Sequence, residues 1–191
     1  ALPISYKPRR MIEAAALALV HFVESLGYFG IFVMAMIEST FVPIGSEFTM
    51  IPSGYLVHQG KLEALPVFAA SLSGSISGSM INYWIAFRFG RKLIVSNKIF
   101  MMGEEKLQKV EKFFLKHGAF SVFIGRMTYG VRHYISFPAG LARMNLKKFA
   151  FFTASGDALW VSFLLTLGYS IGGNETELKE YMPLVKIVVL G

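Results

Sequence analysis

Glu38-Ser39-Thr40-Phe41-Val42-Pro43-Ile44-Gly45-Ser46-Glu47 sets two carboxylates nine positions apart across a proline and a glycine, directly after the apolar run Ile31 to Ile37. Charge, Pro and Gly together rule out a continuous helix through lipid here. The flanking apolar segments, Tyr28–Ile37 and Phe48–Val57, are ten residues each. That is about half of the ~20 needed to cross a bilayer. Short, broken and short again predicts a re-entrant helical hairpin, tolerated only where protein or water surrounds the broken backbone.

The layout returns with its charge reversed. Gly30 and Glu38 are matched 88 positions later by Gly118 and Arg126, and Ile51-Pro52-Ser53-Gly54 is answered by Phe137-Pro138-Ala139-Gly140. Glu47 lies between the first pair of landmarks and Arg132 between the second. Paired short apolar segments broken by Gly and Pro, in matching places of two halves, point to a transporter's binding site.

With 54% hydrophobic and 16% charged residues, the chain falls well below the ~25% charge of soluble domains and reads as an integral membrane protein. The net charge of +7 is no sign of nucleic-acid binding, because no basic run interleaves with stacking aromatics. Cys is absent, so neither a disulfide nor a thiolate metal site is available. The first residue is Ala rather than Met, as in a trimmed or processed chain, and residues 1–10 carry no apolar signal segment.

The expected architecture is one all-α membrane domain over residues 1–191. An N-terminal helix (Met11–Leu26, interfacial or spanning) precedes repeat 1, about 28–90, whose hairpin is followed by a transmembrane helix, Leu65–Phe89. A basic amphipathic linker, 91–117, carries Leu107, Val110 and Phe114 at helical spacing. Repeat 2, about 118–172, holds the second hairpin and the span Phe149–Ile171, and Tyr181–Leu190 reads as a truncated last span. A hairpin returns to its own side and each span crosses once, so the repeats are inverted. Basic flanks (the linker; Arg143, Lys147, Lys148) put the second hairpin's ends on the cytoplasmic side, and the acidic 174–180 loop outside.

Ionisable residues at membrane depth mark substrate or proton paths by default, which makes Glu38 and Glu47 candidate proton carriers. Arg126 and Arg132, six apart across Gly130, offer planar donor forks suited to one phosphate. The plainer alternatives are charges at an interface, or ion pairs between the acids and the arginines. Asp157 is a third candidate contact or a helix cap near an interface. His133 is a proton relay or a satisfied polar residue, and Tyr129 and Tyr134 are cavity hydroxyls or interface aromatics. Trp84 and Trp160 read as packing or interface anchors, and Gly74–Ser79 as a small-residue stripe for close helix packing. Pro43, Gly45, Gly54, Gly130, Pro138 and Gly140 shape the tips and their backbone. No His, Cys or acid spacing suggests a metal, and no cofactor is expected.

Taken in order, Glu38, Pro43-Ile44-Gly45-Ser46-Glu47, Gly54, Glu111 to Gly118, Gly125-Arg126, Arg132 and Phe137-Pro138-Ala139-Gly140 with Met144 and Phe149 resemble the DedA family, which shares the VTT domain. The match covers about residues 25–170. The resemblance implies a multi-pass protein of the bacterial cytoplasmic membrane with two facing re-entrant hairpins, moving lipids such as undecaprenyl phosphate or glycerophospholipids between leaflets. In some members the work depends on the proton-motive force. It also implies functional acids at Glu38 and Glu47 and essential arginines at Arg126 and Arg132. The second acid is often Asp in close relatives, and the tip commonly reads Pro-x-Pro where this chain has Pro43-Ile44-Gly45.

The leading expectation is therefore a non-enzymatic, proton-coupled flippase or scramblase for a phosphate-bearing lipid. A proton-coupled ion antiporter is the alternative, and a purely structural membrane protein a third. A lipid phosphatase fits poorly: Tyr55 stands where a His should follow Pro52-Ser53-Gly54, and no correctly spaced nucleophile replaces it. The lipid, the direction of movement and any homo-oligomer stay open at this level.

Overall fold

In the computed structural model, which describes residues 7–40, 45–95, 113, 116–128 and 131–173, three helices are long and apolar enough to cross a membrane. They are Val20–Glu38, Ala64–Gly90 and Leu146–Gly172. The latter two hold 27 residues each, hence run about 40 Å against a hydrocarbon core of ~30 Å. Every element among the described residues is a helix. In chain order they are α1 (Lys7–Glu38), α2 (Glu47–His58), α3 (Ala64–Val95), α4 (Phe120–Met127), α5 (Ser136–Leu141) and α6 (Leu146–Gly172).

Two boundaries differ from expectation. The N-terminal helix and the Tyr28–Ile37 segment join in α1, interrupted only at Gly27, whose φ of 59° and ψ of −163° are not helical. The break falls one residue before the expected start of the short apolar leg. α3 continues to Val95 instead of ending at Phe89, because Arg91 and Lys92 favour helix and no proline follows Gly90 to stop it. Pro43, Tyr129, Gly130, most of the basic linker with Leu107, Val110 and Phe114, the acidic loop and the last expected span lie outside the described residues.

α2, α4 and α5, with 12, 8 and 6 residues, are each too short to cross. They fall where the two short-broken-short patterns were read. α6 starts on Asn145, whose side-chain oxygen accepts from the Lys147 and Lys148 amides at 3.0 and 3.2 Å.

The described residues divide into two compact units, one within Ala1–Met34, Ile44–Ser71 and Val161–Gly191, the other within Ala35–Pro43 and Leu72–Trp160. In the first, α2 lies directly on the end of α6. A Cβ at Gly54 would stand 2.3 Å from the Leu165 carbonyl, and one at Gly168 2.2 Å from that of Ile51. The His58 ring meets Tyr169 edge-on at 4.9 Å. Lys61 pairs with Glu24 at 2.7 Å, and the Tyr28 hydroxyl accepts from the Glu63 amide.

The second unit has an apolar centre of Tyr83, Val122, Ile135, Ala139 and Phe149. Tyr83 stacks on Phe149 at 4.8 Å, and its hydroxyl donates to the Met144 carbonyl. α5 sits on α3 much as α2 sits on α6: a Cβ at Gly140 would stand 2.3 Å from the Tyr83 carbonyl. In both units large apolar side chains are exposed, Phe29 and Leu65 of the first at 77% and Phe151 of the second at 65%. Glu38, Glu47, Arg126, Arg132 and Asp157 are buried. Greasy outside and charged inside suits lipid as the surrounding solvent.

Candidate functional site: a buried arginine pair on one carboxylate

The charged centre of the second unit is held by α3, α4, the turn at residues 131–135 and α6. Arg126 lies fully buried in the last turn of α4, and Arg132 follows in the turn. A guanidinium nitrogen of each stands 3.7 Å from the same atom, Asp157 Oδ1. Two guanidiniums six residues apart thus approach one anionic oxygen, and that oxygen belongs to a carboxylate of the protein itself.

Arg126 is bound on several sides. Its Nη1 donates to the Arg132 carbonyl at 3.2 Å and its Nη2 to the Ser79 hydroxyl, with Ser136 Oγ 3.5 Å away. The Ser79 hydroxyl spends its own proton on the Ser75 carbonyl at 2.7 Å. Gly156 makes room for the stem of Arg126, since a Cβ there would lie 2.7 Å from the arginine's Cβ. Arg132 rests over the Trp160 ring, 5.1 Å from its centroid. A cation–π contact of this kind suits a guanidinium stripped of water.

Asp157 lies in the interior of α6 with no exposure. The capping role is thus excluded, because a residue eleven positions into a helix is beyond its free N–H groups. Its Oδ2 accepts from Ser75 Oγ at 2.6 Å, and Ser75 Oγ lies 2.7 Å from Ser39 Oγ. Ser75 has one proton and gives it to the carboxylate, so Ser39 must donate to Ser75. The turn at the end of α1 thereby reaches Asp157 through two hydroxyls. A second tie comes from His133, whose Nδ1 is 2.9 Å from the Glu38 carbonyl oxygen. Asn82 Nδ2 adds a third, donating to the Ser39 carbonyl at 3.0 Å.

Glu38 closes α1 and belongs to the same unit as both arginines; Glu47 opens α2 in the other unit. Glu47 folds back over Gly45, where a Cβ would meet its Oε2 at 2.2 Å, and a carboxylate in the first turn suits the helix dipole. Gly54 lies within α2, and Pro138 and Gly140 lie within α5, and the two glycines serve helix contacts. Tyr134 is 48% exposed.

Sequence reasoning did not pick out Ser39 or Asn82, and gave Ser75, Ser79 and Trp160 only packing or interface roles. Ser75, Ser79 and Asn82 recur at spacings of four and three on α3, a polar stripe hidden inside what reads as small-residue packing. Trp160 falls three residues after Asp157, on the same helix face. Among the described residues no cluster of three His, Cys or acid groups fits a metal ion.

The family model for the VTT domain matches residues 42–170. A Bacillus subtilis protein named Uncharacterized membrane protein YkoX is 34% identical, covering 94% of this chain and 81% of its own length. A Lactococcus lactis protein named Alkaline phosphatase-like protein is 32% identical, covering 91% and 85%. Undecaprenyl phosphate transporter A of Bacillus subtilis is 31% identical, covering 83% and 78%. No solved structure matches the chain.

Proposed function

Because the chain belongs to the VTT domain family, we propose that it moves a phosphate-bearing lipid between the leaflets of the bacterial cytoplasmic membrane, in which it is a multi-pass protein. One observation carries the reading: two buried guanidiniums aim at a single anionic oxygen inside a bundle whose outer face is apolar. A phosphate headgroup fits such a pair, and its acyl or prenyl tail stays in the bilayer. The relative named for undecaprenyl phosphate transport supports this substrate class.

In this reading Arg126 and Arg132 hold the phosphate, Asp157 is a further polar contact, and Glu38 and Glu47 exchange protons, which couples movement to the proton gradient. The short helices form two re-entrant hairpins, α1's end with α2 and α4 with α5, in repeats of opposite topology that rock to alternate access. Support comes from two matched contacts: Gly54 and Gly140, each two residues after a proline, both press onto a long helix with a Cβ-to-carbonyl distance of 2.3 Å.

Reconstituted vesicles carrying a fluorescent polyprenyl phosphate test the proposal. Arg126→Ala or Glu38→Gln should abolish its flipping while the protein still elutes as a folded species. Flipping at the unaltered rate in both variants would remove the mechanism. Cation flux without any lipid dependence would instead favour a proton-coupled antiporter.

A further inference from the structure

Among the described residues, four buried side-chain atoms lack a hydrogen-bond partner: Asn82 Oδ1, Arg126 Nε, Thr153 Oγ1 and Asp157 Oδ1. All four belong to the unit that holds the arginine pair. Thr153 stands one turn before Asp157 on α6, and Asn82 one turn after Ser79 on α3. Buried polar groups are almost always paired, so four orphans on three helices around one ion pair call for a cause.

The ion pair shows the same slackness. Direct contacts between a guanidinium and a carboxylate run at about 2.7–2.9 Å, whereas both arginines stop 3.7 Å from Asp157 Oδ1. The carboxylate is anchored elsewhere, through Oδ2 on Ser75. It presents its free oxygen to the arginines without engaging either, and Arg126 Nε is left with no acceptor.

We propose that Asp157 is a resident anion: its free oxygen marks the place that a phosphomonoester takes between Arg126 and Arg132, and the two anions compete for the pair. The inference rests on the phosphate-binding reading above. A phosphoryl group brings three acceptor oxygens where Asp157 offers one, enough to reach Arg126 Nε as well as both guanidinium tips. Ser75, fed by Ser39, holds the carboxylate back when phosphate enters. When phosphate leaves, Asp157 recaptures the arginines, so the emptied site regains a counter-charge of its own. Release is thus built into the site, and without it a tight anion site would hold its cargo.

Farnesyl monophosphate in detergent micelles is a suitable probe, with farnesol and inorganic phosphate as comparison ligands. Trp160, stacked under Arg132, supplies the fluorescence signal once Trp84, exposed on the outer face, is replaced (Trp84→Phe). Asp157→Asn removes the competing charge but keeps an acceptor for Ser75, and should tighten farnesyl monophosphate binding about tenfold. Its flipping should nevertheless be slower than wild type, because release loses its driver. Ser75→Ala frees the carboxylate to engage the arginines, and should weaken binding severalfold.

A folded Asp157→Asn variant that binds no tighter would overturn the proposal. Should that variant not fold, Ser75→Ala decides, and binding that is unchanged or tighter than wild type overturns it. If wild type itself does not prefer farnesyl monophosphate to farnesol, the phosphate-binding reading fails and takes the inference with it. A preference retained in wild type alongside unmoved variants sinks only the resident anion. Inorganic phosphate binding as tightly as the lipid, with the same opposite shifts, would keep the resident anion and assign the site to the free anion.

Discussion

Arg126 has no exposure to speak of, and its charge is tolerable only because its neighbours are arranged around it. Ser79 is central, since its hydroxyl accepts from Arg126 while donating backward to the Ser75 carbonyl. Ser79→Ala would strand a guanidinium N–H in a place no solvent reaches, at a cost of about 1–3 kcal/mol. The expected result is a lower unfolding midpoint in detergent together with weakened lipid flipping, and Ser79→Thr should recover most of both. An unchanged midpoint for Ser79→Ala would mean that Arg126 finds another acceptor. Arg126 and Arg132 were visible in the sequence as charges misplaced in an apolar context. Ser79 was not, because serine inside a membrane helix looks the same whether it fills space or binds a charge.

The helices owe their packing to glycine. Gly54 in α2 and Gly140 in α5 occupy corresponding places in the two repeated motifs, and each brings its short helix against the backbone of a long one. Gly54→Val and Gly140→Val should each destabilise the protein by more than the ~1–3 kcal/mol usual for overpacking, since the obstacle is backbone carbonyl and cannot rotate away. Gly60→Ala is the comparison: no atom lies within 4 Å of a Cβ there, and only its φ of +70° opposes the change. A penalty for Gly60→Ala equal to that of Gly54→Val, measured by thermal unfolding, would contradict the packing argument. The glycines were legible as repeated landmarks. Their partners were not: Gly54 meets Leu165, and Gly140 meets Tyr83.

Among the described residues, large apolar side chains such as Phe29, Leu65 and Phe151 turn outward while Glu38, Glu47, Arg126, Arg132 and Asp157 are buried, and the absence of Cys in the sequence makes the protein's orientation easy to probe. The inverted-repeat proposal puts Gln59, after α2, outside and Lys148, at the start of α6, inside, so a single Gln59→Cys should react with a membrane-impermeant maleimide on intact cells. Lys148→Cys should react only after permeabilisation. Labelling of both from one side would end the inverted-repeat proposal. The amino-acid order alone determined that this is a helical membrane protein, because its apolar run lengths, sparse charge and Gly/Pro breaks are local properties measured against a bilayer of fixed thickness. It also picked out Glu38, Glu47, Arg126 and Arg132, since an ionisable group in such a chain is conspicuous wherever it falls. Only the tertiary structure decided that both arginines address Asp157, and that Ser75, 82 residues earlier in the chain, anchors that carboxylate. Hydrogen bonds and ion pairs depend on distances of a few ångströms between helices, and spacing along a chain does not encode which helices those will be.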